Sequence, residues 1–324
     1  MEISTEIADK IEKLERKFKN SGQDLGDHLD GLLHQRYLTY WDYIHLDTLL
    51  SLQIPKTHFP DEEIFIMYHQ ITELYFKLMI HEQKQLIDHR LQSAEFFVTK
   101  LDRINNYFRI LISSFDVMIN GMDRAQFLQF RMTLLPASGF QSAQFRMIEL
   151  YATPLLQLVE HSMKSKMQHE TDLEKCYEEI YWKKGATDTI LGEKTLTLKQ
   201  FEYRYTPRFM RIAKEVQGVT IYEKYLELPE QEKNNPNLIA AMQKFDVSAN
   251  VHWRLMHMGA SYRHLKKDNV TIGATGGTNW RTYLPPSFQK VIFFPEIWSE
   301  QEQENWGKQW VDHMFNPENR KMNV

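Results

Sequence analysis

Two long stretches constrain the fold more than anything else in the chain. Residues 61–83, DEEIFIMYHQITELYFKLMIHEQ, and residues 94–119, with Phe97, Leu101, Ile104, Phe108, Leu111, Ile112 and Phe115, keep apolar side chains three or four positions apart. That spacing lays one stripe along an α-helix and fits no strand, whose faces alternate every residue. The two stretches predict a hairpin of long helices. Elsewhere Ile7, Ile11, Leu14 and Phe18 mark a surface helix ending near NSGQDLGD, and its apolar face suits a partner subunit as well as this chain. YLTYWDYIHLDTLLSLQ reads as a short aromatic-rich helix stopped by Pro55 and Pro60, and the acidic DEE after it suits the positive end of a helix. Helical patterns return at 199–217 and from about 237 to 265, and Trp298, Trp306 and Trp310 mark a last helix. No strand pair, internal repeat or low-complexity linker stands out. The fold class is all-α, one helical domain over residues 1–324, with residues 1–35 placed against a neighbouring subunit.

Composition narrows the function. With 39 basic and 43 acidic residues the net charge is -4, which favours neither nucleic acid nor an anionic membrane surface. No segment approaches the ~20 apolar residues of a membrane span, and the N-terminus shows no cleavable leader. Cys176 is the single cysteine, an incidental thiol consistent with a reducing compartment, so the expected location is the cytoplasm.

Several residues carry possible chemistry. His69 and Glu73 stand one turn apart, where they suit either a shared metal or a core histidine beside a buried helix tie. In NVHWRLMHMGASYRHL, His257 is followed by Gly259, Ala260 and Ser261, small residues that either let a flat group such as haem approach or simply pack closely on a neighbour. Arg131 lies in an apolar segment, where it needs an internal carboxylate or that of a ligand. Ser138 and Ser142 are alternative N-caps for the helix after PASGF. The loop GATGGT, residues 273–278, lacks the spacing of a phosphate-binding loop and suits a mobile lid or a plain surface loop. Tyr40 and Tyr43, one turn apart, are core residues or the polar edge of a pocket.

Taken in order, YWDYIHLDTLLSLQ, DEEIFIMYHQITELYFK, FRMTLLPASGFQSAQFRMIE, WRLMHMGASYR and TGGTNWRTYL resemble the tryptophan 2,3-dioxygenase family over about residues 40–284. The resemblance implies a haem b enzyme, active as Fe2+, that adds both atoms of O2 across the indole C2–C3 bond of L-tryptophan. The product is N-formyl-L-kynurenine, the first step of tryptophan catabolism by the kynurenine route. By position, His257 matches the axial haem ligand and His69 the distal histidine that meets the indole N–H, with Phe65 against the indole. Arg131 matches the partner of the substrate carboxylate, and Thr275 the residue of the closing loop at the amino-acid end. Phe127, Ser138 and Gly139 match residues lining the haem pocket, while Tyr40 and Tyr43 match residues that reach a neighbour's site in a homotetramer.

The sequence also departs from the pattern. HLKKDNVTIGA is longer than the usual spacing, Gly273–Ala274 replaces a lysine–glycine pair, and Tyr75 stands where the family often has Trp. A haem-dependent aromatic monooxygenase and a non-catalytic haem- or indole-binding protein are the alternatives to a dioxygenase, because a shared fold does not fix the reaction.

Overall fold

The structure is a computed structural model that describes residues 4–35, 38–88, 93–134, 139–187, 192–267, 270–271 and 284–308. It is all-α apart from a two-residue antiparallel ladder, in which Lys266–Lys267 pairs with Val270–Thr271. That ladder was not expected from the sequence, because two residues per strand are too few to show an alternation. The chain divides into two compact units, Met1–Ile54 and Pro55–Val324.

In the larger unit the predicted helical hairpin is present. Asp61–Asp88 packs along Ala94–Ser114, and Ala143–Ala152 lies against the same long helix. The start of Asp61–Asp88 is fixed twice. Glu62 accepts from the amides of Lys56 at 2.8 Å and Thr57 at 2.7 Å. Burial alone raises the Glu62 pKa, but bonds from Thr57 and Lys56 outweigh it and hold the carboxylate below its ordinary range. Asp61 accepts from the Asp123 amide at 2.5 Å and its own amide donates to Gln126 at 3.2 Å, which joins this helix end to Arg124–Phe130.

The 94–119 stretch is broken. Its first helix stops at Ser114, Phe115 caps it, and a short helix Asp116–Ile119 comes next. The break places the buried Phe115 ring 4.9 Å from Trp253 and 4.8 Å from His257. The C-terminal helical pattern is interrupted as well: Pro236–Val247 passes through a π-helical turn, Ser248–His252, into Trp253–Leu265. Such a turn inserts a residue and re-aims the helix beyond it. The expected last helix is the short Glu300–Glu304, which Trp298 and Trp306 flank, while Trp310 lies outside the described residues. The core runs between these elements, with Phe76, Phe97, Phe108, Phe245 and Phe293 fully enclosed.

The smaller unit has a different character. It holds helices Thr5–Asn20, Leu25–His34, Tyr40–Tyr43 and Leu46–Leu50, and none of them contains a buried residue. Ile7, Ile11, Leu14, Leu29, Leu32 and Leu33 are all exposed. Local devices define the first helix: Ser4 caps it, and Lys10–Glu6 and Lys13–Asp9 pair along its outside at 2.6 Å. Exposed pairs of this kind add about 0.3–0.5 kcal/mol each, far less than an apolar stripe gains by burial.

Candidate active site

A cavity of roughly 500 Å³ opens inside the larger unit, within the range of small-molecule and cofactor sites. Its walls combine aromatic side chains with the charged Glu73, Arg146 and Arg254, and two histidines from distant parts of the chain reach it, His69 from Asp61–Asp88 and His257 from Trp253–Leu265.

Both imidazoles are held the same way. His69 Nδ1 lies 2.7 Å from the Phe65 carbonyl and His257 Nδ1 lies 3.0 Å from the Trp253 carbonyl, each one turn back on its own helix. A carbonyl only accepts, so Nδ1 carries the proton in both rings and Nε2 keeps its lone pair. Burial pushes the pKa of His257 down to about 4; the carbonyl bond partly opposes this, while His69 and the Arg146 cation push the same way. Burial also lowers His69, with the Phe65 carbonyl and Glu73 opposing. At neutral pH both rings are uncharged, the form that ligates a metal or accepts a hydrogen bond.

The surroundings of the two rings differ. His69 is exposed, and what it is exposed to is the cavity, with the Phe65 ring tilted by 32° at 4.0 Å and Phe127 and Phe130 at 6.4 and 5.7 Å from Phe65. Phe65 and Phe127 line the cavity here with Phe130 enclosed behind them, an aromatic wall suited to a flat aromatic molecule. His257 is wedged edge-on between Trp253 at 4.7 Å and Phe115 at 4.8 Å. Ala260 and Ser261 continue the wall one turn beyond it. A haem fits this donor set: a rigid, neutral imidazole with Nε2 free, small residues beside it, and apolar walls.

Glu73 is a tie between helices and not a ligand partner of His69. Its carboxylate accepts from Ser142 Oγ at 2.7 Å and Gln144 Nε2 at 2.8 Å, and its carbonyl accepts from Gln144 at 2.7 Å. Ser142 is also the N-cap of Ala143–Ala152, accepting from the Phe145 amide at 3.3 Å. Among the described residues no group of three His, Cys, Asp or Glu side chains is placed to hold a metal ion.

Of the other expected site residues, Phe65 and Phe127 line the cavity with the two histidines. Gly139 opens the 3-10 turn Gly139–Gln141, whose Phe140 and Gln141 also line it. Arg131 begins the turn Arg131–Leu134 and is buried, which lowers its pKa; it is not itself among the described lining, although Phe127 and Leu134 on either side of it are. Ser138 and Thr275 lie outside the described residues, as does the GATGGT loop. Tyr40 and Tyr43 belong to the smaller unit, where they are 72% and 74% exposed.

The structure adds residues that the sequence pattern did not single out. His264 lines the cavity, with Nε2 at 2.6 Å from the Met118 carbonyl and its ring 4.8 Å from Phe127. More prominent is a buried ionic cluster. Arg146 Nη1 donates to Tyr181 Oη at 2.7 Å and lies 3.1 Å from Glu149 Oε2. Arg254 Nη2 donates to the same phenol at 3.0 Å and to Asn250 Oδ1 at 2.9 Å, Nη1 donates to Gln289, and the phenol donates to Glu149. Burial raises Glu149 despite Arg146 and Arg254, and pushes Tyr181 up to about 12. Arg146 and Glu149 at i and i+3 in the otherwise apolar QFRMIEL were the one sequence signal of this cluster.

A family model described as tryptophan 2,3-dioxygenase matches residues 30–184. A protein of Herpetosiphon aurantiacus named tryptophan 2,3-dioxygenase is 31% identical over 275 residues, covering 81% of this chain and 96% of that protein. The chain belongs to the tryptophan 2,3-dioxygenase family. Two more proteins of that name agree: one of Bacillus anthracis is 28% identical over 286 residues, 81% of this chain and 91% of its own. One of Anaeromyxobacter sp. (strain K) reaches 43% over a shorter 122 residues, 37% of this chain and 45% of its own.

Proposed function

We propose that the chain is a haem-dependent L-tryptophan 2,3-dioxygenase, which adds both atoms of O2 across the indole C2–C3 bond to give N-formyl-L-kynurenine. The observation that supports this most is the pair of neutral histidines facing one aromatic cavity, each with Nδ1 tied to its own helix and Nε2 left as a base. Ferrous haem b, held by His257, supplies dioxygen activation. The chain's own residues bind and orient the amino acid.

Phe65 packs on the indole and His69 Nε2 accepts its N–H, which fixes the ring plane. An orienting hydrogen bond is the role assigned to His69, since the indole N–H is too weakly acidic for full deprotonation to be required. Arg131 grips the substrate carboxylate and Thr275 the amino-acid end, so that C2 and C3 are presented in a reactive pose. Phe127, Ser138 and Gly139 line the haem side.

The chain works as a homotetramer in the cytoplasm, with Tyr40 and Tyr43 completing a neighbouring subunit's site. The four N-terminal helices support this, because Ile7, Ile11, Leu14, Leu29, Leu32 and Leu33 stay exposed within their own unit. Among the described residues no helix is long and apolar enough to cross a membrane.

The test is turnover by purified, haem-loaded protein. L-tryptophan and air are expected to give N-formylkynurenine with no reductant consumed per turnover. A requirement for peroxide or a reductant, with one oxygen added, would replace this reading with a monooxygenase; spectral shifts without product would leave a binding protein.

A further inference from the structure

The long helix Asp61–Asp88 is apolar on two sides. Tyr68, Phe76, Met79 and Leu86 are buried in the core on one of them. On the other, Met67, Ile71, Leu74 and Leu78 are between 40% and 48% exposed. Steps of four, three and four residues keep these side chains in one line, about 16 Å long at 1.5 Å per residue. Met67 is two residues from both Phe65 and His69, roughly 200° round the helix, so the line backs onto the side that faces the cavity. Single exposed apolar residues are ordinary on a protein surface, but a continuous line of them is the kind of seam along which helices pair.

The charges at its two ends point to what pairs with it. Glu63 stands one turn before Met67, and His81 and Lys84 follow Leu78; all three are exposed. Glu63 and His81 are about five full turns apart, so they lie on the same edge of the line, and Lys84 extends that edge, its ammonium 5.8 Å from the Tyr151 ring. Consider a second copy of this helix turned end for end about a two-fold axis midway between Ile71 and Leu74. Ile71 then meets Leu74, Met67 meets Leu78, and Glu63 comes opposite His81 and Lys84. Antiparallel helix dipoles add to the attraction. A parallel pairing instead sets each residue against itself, acid on acid and base on base. The line is therefore complementary to its own copy end for end, which is what an isologous contact requires.

We propose that Met67, Ile71, Leu74 and Leu78 form an antiparallel contact with the same four residues of a second copy of this chain. This rests on the homotetramer reading above. A tetramer of dihedral symmetry needs two different isologous contacts; the N-terminal unit supplies one in that reading, and this helix supplies the other. Four half-exposed side chains a copy fall short of the about 1,200 Å² that a stable interface buries, which suits one contact of several and not the sole contact of a dimer. The second copy braces from behind the helix that carries Phe65 and His69 to the cavity.

Two measurements on the full chain test it. Ile71→Asp with Leu74→Asp places four carboxylates around the two-fold axis and leaves the core untouched, and is expected to halve the mass found by analytical ultracentrifugation. Met67→Cys with Leu78→Cys tests the register, in a chain whose own Cys176 is buried. The two positions are about 16 Å apart on one helix, too far for a disulfide within a chain, whereas the proposed pairing sets position 67 of one copy against position 78 of the other. Mild oxidation is expected to give a covalent dimer whose linked peptides join 67 to 78. An unchanged mass in the aspartate variant, no link, or links joining 67 to 67 or 78 to 78 would each overturn the proposal while an intact parent tetramer leaves the homotetramer reading standing. A parent that sediments as a monomer overturns both. Should the aspartate variant fail to fold, the linkage alone decides.

Discussion

At the scale of single residues the site depends on which ring nitrogen carries a proton. His69 and His257 both spend Nδ1–H on a carbonyl of their own helix, which leaves Nε2 as the working atom. Replacing His69 with Ala is expected to keep haem stoichiometric and lower kcat/KM about 10- to 100-fold, roughly 1.4–2.7 kcal/mol of lost transition-state stabilisation. Steady-state kinetics beside the Soret absorbance checks both halves. A fall of a million-fold would mean that His69 is an obligatory base, and no fall would remove it from the site. Ser142 has two tasks, capping Ala143–Ala152 and tying it to Glu73. Ser142→Ala is therefore expected to cost about 1–2 kcal/mol in urea unfolding, and less than 0.5 would show the tie to be incidental. In the sequence His69 and His257 stood out as histidines on apolar helix faces, whereas Phe65 and Phe127 were picked out by the family resemblance; all four line the cavity. Tyr181 and Asn250 were not legible: their partners are remote or depend on the π-helical turn, and no local spacing encodes such contacts.

At the scale of elements, the helices that carry His69 and His257 are fixed at their ends by polar contacts. Asp246, at the end of Pro236–Val247, receives the amides of Phe293 at 2.9 Å and Phe294 at 3.2 Å, the Trp298 indole at 3.1 Å and Asn250 at 2.8 Å. Burial pushes this carboxyl from its ordinary 3.8 up to about 6, although the four donors pull it down. Between those values the native state holds a proton that the unfolded chain has released, so this group's contribution to stability is lost as pH rises from about 4 to 6 and is flat above. The slope amounts to about 3 kcal/mol at most. Asp246→Asn is expected to remove it, and unfolding curves of the two proteins across that range check the sign; parallel pH profiles would contradict it. The long helices themselves were legible in their stripes, and their edges less so. The apolar stripe of the 94–119 stretch continues past Ser114, yet the chain breaks at Phe115, which packs on Trp253 and His257.

At the scale of the whole molecule, the proposed homotetramer draws on the first four helices, whose unit exposes several large apolar residues. Leu33 is 80% exposed and Leu32 is 53% exposed. Leu32→Asp with Leu33→Asp is expected to shift the assembly toward smaller species in light scattering, while changing the unfolding free energy of the larger unit by less than about 0.5 kcal/mol. An unchanged mass would show that this face is not an intersubunit contact. The all-α class was legible from periodicity alone, whereas the division at Ile54–Pro55 was not, because the aromatic-rich helix before Pro55 reads like any core segment.

We propose that one cavity takes both haem and tryptophan between His69 and His257. The most direct measurement is a crystal structure of the haem-loaded protein with L-tryptophan. The expected result is His257 Nε2 on the iron, the indole between Phe65 and the haem, and its N–H within hydrogen-bond distance of His69 Nε2. Haem ligated by another residue, or tryptophan bound away from His69, would contradict it.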